Sequence, residues 1–242
     1  MDITRTSSLL SRWADGRDLG ADHPHWSVVR PGDGAVRVAA VRVDATADRA
    51  ARTAAGRDAL RALAAELVGG DPADVTVRAR CATCGGPHGR PVLGGSRALD
   101  ALHASVAHAG DAVVVAVSGH GPIGIDAEPR GREVPSGMSL ARWVRIEAVL
   151  KADGRGLLVD PALVRFEDDA TGAIAWIDGD GGHYRVVDVA LEQGLMAAVA
   201  RLHAGPSALT SVVVVQLSSG GVPAHVDDPE ITRSRPDRSR TR

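Results

Sequence analysis

The chain has 242 residues, 44% of them apolar and 2% aromatic, with a formal net charge of −2. That length fits one large domain or two small ones, with a core built mostly from Ala and Val. The near-neutral balance gives no electrostatic basis for a nucleic-acid partner, and no apolar run approaches the ~18–20 residues of a membrane span. The opening MDITRTSSLLSRWADGRD lacks the basic start and apolar run of a signal peptide, so a cytoplasmic protein is expected.

Residues Met1 to Pro31 carry no clear periodicity. His23 and His25 flank Pro24 beside Trp26, which reads as loop. Val36 to Val43 alternates as a half-buried strand. Ala47 to Val68 has the spacing of a helix closed by Gly69-Gly70, with Arg49, Arg52, Arg57 and Arg61 on a solvated face from which one could reach a phosphate. Asp74 to Arg80 is a second strand. Cys81 and Cys84 follow in a C-x-x-C with His88 close by. The Gly85-Gly86-Pro87 that follows predicts a tight turn; a zinc site completed by His103 or His108, or a redox pair, are the alternatives.

Ser96 to Ala107 reads as a short helix or loop ending at His108. Ala112 to Ser118 (AVVVAVS) is a buried strand, and Gly119-His120-Gly121 is hairpin spacing into a strand from Ile123 to Glu128. Strand alternation puts Asp126 and Glu128 on one face, with Ile125 and Ala127 on the other. Leu140 to Lys151 has helical spacing that aligns Trp143, Glu147 and Lys151, flanked by Ile146 and Leu150 as the apolar seam. Weaker strands follow at Ala173–Ile177, His183–Val189 and Leu195–Ala200, then Thr210–Leu217. From Ser218 the composition turns to Gly, Pro, Asp, Ser and Arg, which predicts a disordered tail over 218–242.

The strand–helix–strands order recurs. It predicts an α+β protein of two similar α/β lobes, 1–111 and 112–217, although no sequence repeat relates them. The chemistry concentrates between Asp126 and Lys151. Three carboxylates facing one place repel each other without a cation, and Mg²⁺ prefers such hard oxygens while keeping substrate phosphates in its shell. Lys151 is the only lysine of the chain. Arg is a broad fork and Lys a compact charge, so a lysine kept where all other basic residues are Arg points to a position that needs the smaller group. The plain alternative is an i,i+4 Glu147–Lys151 helix pair worth ~0.3–0.5 kcal/mol.

Gly124-Ile125-Asp126-x-Glu128, followed by Trp143, Glu147, Ala148, Lys151, Gly154, Gly156 and Leu157 as W-x-x-x-E-A-x-x-K-x-x-G-x-G-L, resembles the phosphopantetheinyl transferase family. The likeness is to the monomeric type that activates polyketide and nonribosomal peptide synthetases. His88-Gly89-Arg90-Pro91 resembles that family's G-K-P segment, and Ser105-Val106-Ala107-His108 its S-x-S-H segment. These ordered matches span Cys81 to Leu157.

The resemblance implies a monomeric pseudo-dimer with its active site in the cleft between lobes. It implies transfer of the 4'-phosphopantetheine arm of coenzyme A to a serine of an acyl or peptidyl carrier protein. Asp126, Glu128 and Glu147 would be the Mg²⁺ ligands. Glu147 would be the base and Lys151 the group on the phosphate or leaving group, with Arg90 and His108 on coenzyme A phosphates. The plain alternatives are a surface charge at Arg90 and a capping or core histidine at His108. Ile146 stands where the family usually has Lys, and Arg145 is on the wrong helix face to replace it. Ala107 stands where a second Ser is common, and the Glu128–Trp143 linker is short. The alternative function is a degenerate relative that binds coenzyme A or a carrier protein without efficient transfer. A Mg²⁺-dependent phosphohydrolase of another fold is a third reading, without a nucleophile or second metal cluster to support it.

Overall fold

In the computed structural model the described residues are 36–203 and 212–217, apart from 80, 82–83, 135–136 and 192–193. His23, His25, Trp26 and the expected tail over 218–242 lie outside them. The architecture is α+β: two sheets face each other, and each carries one long helix on its outer face.

The first sheet contains β1 (Val36–Arg42), β2 (Thr76–Ala79), β3 (Pro91–Gly94), β4 (His103–Ala109) and β5 (Ala112–Ser118). Its helices are α1 (Arg49–Val68) and the single turn α2 (Arg97–Asp100). The second sheet contains β6 (Ile123–Pro129), β7 (Val164–Asp169), β8 (Gly172–Ile177), β9 (His183–Val189) and β10 (Leu195–Leu202), with α3 (Leu140–Asp153) inserted after β6. Spatial order is β1-β5-β4-β3-β2 in one and β6-β10-β9-β8-β7 in the other. Both units therefore run strand, long helix, then an antiparallel meander whose last strand returns beside the first. The final strand, β11 (Val212–Leu217), pairs parallel with β1 at the edge of the first sheet.

The sheets divide the chain elsewhere than at 111/112. Ala112–Ser118 hydrogen-bonds to β1 and β4, so it belongs to the first unit, and β11 returns from the C-terminal region to join it. The expected hairpin between β5 and β6 is also absent, since the two strands belong to different sheets. The hairpin lies one strand earlier, between β4 and β5, turning at Gly110 with φ 62°. The cause is the two-sided apolar character of β5. Val113, Val115 and Val117 pack under α1, while Ala112, Val114 and Ala116 pack against the second sheet. A strand covered on both faces occupies the interior of a sheet, with partners on both sides.

β3, β4 and β7 were not legible as strands. HASVAHA has none of the aromatic or repeated β-branched residues that mark strands, and β7 ends in Glu-Asp-Asp. Helix α1 starts at Asp48, whose side chain accepts from the Ala51 N–H, and ends at Gly69 in the left-handed region with φ 67°. Helix α3 starts on Ser139 and ends on Gly154, φ 96°. Ile146 and Leu150 are fully buried in the core beneath α3, as the helical seam predicts.

Candidate functional site

Along β6, Ile123, Ile125 and Ala127 point into the core between the sheets. Gly124, Asp126 and Glu128 alternate onto the opposite face, toward α3. The helix can lie this close because Gly124 has no side chain. A Cβ there would sit 2.0 Å from Ala148 O, 2.5 Å from Ala152 N and 2.9 Å from Lys151 Cβ. The approach lowers the start of the Lys151 side chain directly onto the strand.

Lys151 Nζ donates to Asp126 Oδ1 at 2.6 Å and to Ile125 O at 3.1 Å. The Ile125 N–H donates to Ser105 Oγ of β4 at 3.0 Å. β6 is the edge of its sheet, and both exposed backbone groups of Ile125 are thereby satisfied, one from each unit. Ser105 thus ties the two units together at the level of Asp126, and the lysine closes the same edge from the helix side.

Asp126 and Glu128 are 5% and 7% exposed. Arg132 donates to Glu128 Oε1. Among the described residues, Asp126 Oδ2 is buried without a hydrogen-bond partner. Burial raises the Asp126 carboxyl above the ordinary range; Lys151 pulls it down and Glu128 pushes it further up. Glu147, half-buried on α3, is raised first by burial and then by the negative charges of Asp126 and Glu128, against the pull of Lys151 and Arg132. The three carboxylates therefore influence one another electrostatically, but they are not drawn into a closed ligand cage. Lys151 and Arg132 each hold one of them.

The orphaned Asp126 oxygen and the elevated Glu147 suit a hard divalent cation, which would satisfy the first and relieve the repulsion felt by the second. Asp126, Glu128 and Glu147 offer oxygen donors of the kind a hard divalent cation takes, with Lys151 on Asp126 and Arg132 on Glu128. Among the described residues, the group whose donor atoms already lie within 4.8 Å of one another is a different one: Cys81, Cys84 and His88.

His108, on β4, lies within electrostatic reach of Lys151. It is exposed, and its imidazole is held below the ordinary value by partial burial and by the positive charges of Lys151, Arg52 and Arg49. A neutral histidine with three cations around it is a place where an anion is favoured. Arg52 is fixed there by hydrogen bonds to Ala47 O at 3.0 Å and to Gly110 O.

Arg90 is set apart from this group. Its Nη2 donates to Ala152 O at 2.7 Å and to Lys151 O, carbonyls of the last turn of α3. The charges it feels are those of Asp153 and Tyr184, and its dominant perturbation is burial. Arg90 therefore tethers the loop before β3 to the C-terminal end of α3, where a cation also complements the helix dipole. Arg145 makes a two-pronged contact with Asp188 at 2.8 and 2.6 Å and reaches Asp168 at 2.8 Å, so it is engaged on the other face of the helix.

Gly124 stands in the motif that carries the resemblance, but its role against α3 was not read from the sequence, and Arg132 was not singled out at all. The i,i+4 distance of Arg132 from Glu128 was visible, but the span reads as linker rather than helix. Nothing local reveals that a helix rests on Gly124. The chain matches no protein-family model and no curated protein.

Proposed function

We propose that this protein transfers the phosphopantetheine arm of coenzyme A to a serine of a carrier protein in a Mg²⁺-dependent reaction. The observation that carries the reading is the meeting of Asp126, Glu147 and Lys151 where β6 lies against α3, at the junction tied by Ser105, with His108 of β4 within electrostatic reach of Lys151. Carboxylates that want a cation lie beside cations that want an anion, which is the charge pattern a metal-bound pyrophosphate requires.

Asp126, Glu128 and Glu147 would hold Mg²⁺, which supplies charge neutralisation at the pyrophosphate. Lys151 presents a compact ammonium at the edge of β6, positioned to neutralise charge on the leaving phosphate. Glu147 has a raised proton affinity and accepts the carrier serine proton, directly or through a water. His108, with Arg49 and Arg52 around it, orients the coenzyme A phosphates. Arg90 acts through α3: it fixes the helix end from which Lys151 projects, in place of the direct phosphate contact that the resemblance implies. Ile146, where the family carries Lys, is a core residue here, so the missing cation is replaced by packing.

A second reading, binding without efficient transfer, is favoured by the engagement of Lys151 with Asp126 and of Arg132 with Glu128, which places the chain's own cations on two of the three carboxylates. One experiment separates the two. Full-length protein is incubated with coenzyme A, Mg²⁺ and an apo-carrier protein, and the carrier is weighed by mass spectrometry. Transfer adds ~340 Da as a covalent modification. Asp126→Ala, with its fold verified by circular dichroism, should abolish the gain. No gain across several carriers, with coenzyme A still bound, would establish the second reading.

A further inference from the structure

We infer that Cys81, Cys84 and His88 form a zinc site on the loop that joins β2 to β3. Their donor atoms lie within 4.8 Å of one another. Cys84 Sγ is 2.9 Å from His88 Nε2. Zn–S and Zn–N bonds of about 2.3 and 2.0 Å at a tetrahedral angle separate neighbouring donors by roughly 3.5–4 Å, so small rotations suffice to admit the ion.

The loop backbone is built around these side chains. Gly85 N–H donates to Cys81 O at 2.8 Å and Cys81 N–H donates to Gly86 O at 2.9 Å, closing a tight turn with Gly85 at φ 69°. Gly86 supplies a separate observation. A Cβ at this position would sit 3.2–3.3 Å from the His88 ring and from Cys84 Sγ, so the imidazole and the thiol occupy the space that its missing side chain leaves. The expected tight turn is therefore present, and it is also what gathers the donors.

Two sulfurs and an imidazole nitrogen are a soft to borderline set that selects zinc over the Mg²⁺ proposed for the carboxylates. Binding exchanges two thiol protons for Zn²⁺ and leaves the imidazole neutral, so the site carries no net charge. His103 and His108, considered as a fourth ligand, do not join the cluster among the described residues. Cys84 and His88 are exposed, which leaves the fourth position to water. The consequence is mechanical. Arg90 follows His88 by two residues and holds Lys151 O and Ala152 O, so a metal at this turn staples the loop that anchors α3.

The test uses the full-length protein, purified under reducing conditions, reconstituted with Zn²⁺ and dialysed without chelator. Elemental analysis should give about one zinc per chain, falling at least about tenfold in Cys84→Ser and in His88→Ala as ligands are removed. Cobalt substitution should produce a thiolate-to-cobalt charge-transfer band that Cys84→Ser weakens. Hydrogen exchange over 84–94 should accelerate when zinc is stripped. A wild-type protein without stoichiometric zinc would overturn the inference, as would zinc retained by both variants. A Cys81–Cys84 disulfide that forms with zinc present would overturn it in favour of a redox pair. None of these readouts depends on transfer activity.

Discussion

Gly124→Ala is the sharpest perturbation that the architecture offers. The added Cβ would meet Ala148 O at 2.0 Å and Ala152 N at 2.5 Å. Both are backbone atoms of α3, so no side-chain rotation relieves the clash. An ordinary C···O contact is about 3.3 Å or longer, so helix and strand must separate by about 1.3 Å. A rigid shift of that size carries Lys151 Nζ from 2.6 Å to nearly 4 Å from Asp126 Oδ1, beyond hydrogen-bond range. It also loosens the core beneath α3, where Ile146, Val149 and Leu150 are fully buried. Overpacking of this kind costs about 1–3 kcal/mol, and backbone on both sides puts it at the upper end. For a chain of this size that is a fall of about 6–12 °C in melting temperature. Gly56→Ala is the control. Its Cβ would meet only side-chain methyls, Val113 Cγ1 at 3.1 Å and Val106 Cγ2 at 3.6 Å. The helix-propensity gain of about 1 kcal/mol offsets that crowding, so it should stay within about 1 kcal/mol of wild type. Thermal unfolding of the three proteins, with carrier modification measured in parallel, reads both effects. A Gly124→Ala protein that melts within about 1 °C of wild type would refute the close approach and the placement of Lys151 that rests on it.

Three further outcomes follow from the same geometry. Lys151→Arg should retain the fold but lose transfer by at least about tenfold, or ~1.4 kcal/mol, because a guanidinium cannot occupy the compact position between Asp126 and Ile125 O; equal carrier-modification rates at matched Mg²⁺ and coenzyme A would reduce Lys151 to a helix-surface residue. Glu147 titrates above its ordinary 4.5 in the folded chain. Its neutral form is therefore favoured by folding, and this contribution is full below about pH 4.5 and is lost as pH rises through the raised value. In metal-free buffer, Glu147→Gln should gain stability over wild type as pH increases from ~4 to ~7, and a difference that is flat or opposite in sign would show that burial and the neighbouring carboxylates do not disfavour the ionised Glu147 in the folded chain. Arg90→Met should lower the stability of the ligand-free protein by about 1–2 kcal/mol through loss of the bonds to α3; unchanged urea unfolding would show that Arg90 does not tether the helix.

Local pattern was enough for the elements whose identity depends on their own residues. Ala112–Ser118, His183–Val189 and the Leu140 helix follow from their apolar spacing, and the structure has them within two residues. The alternation of Asp126 and Glu128 against Ile125 and Ala127 was also fixed locally, because a strand has a period of two whatever it packs on. Partnership was not. β5 looked like the first arm of a hairpin with β6, yet its two apolar faces are covered by α1 and by the second sheet, and its hydrogen bonds go to β1 and β4. β4 escaped notice because Ala, Ser and His carry little strand signal; its place is decided by the hairpin with β5 and by Ser105 on the edge of β6. The same division runs through the candidate site. Sequence named Asp126, Glu147, Lys151, His108 and Arg90 as chemistry-bearing residues. Only packing decided that Lys151 rests on Asp126, that Arg90 is drawn to the end of α3, and that Gly124 is the gap through which the helix reaches the strand. Side-chain type and spacing are properties of a short stretch, whereas a 2.0 Å exclusion between residues 124 and 148 exists only once helix and sheet are in contact.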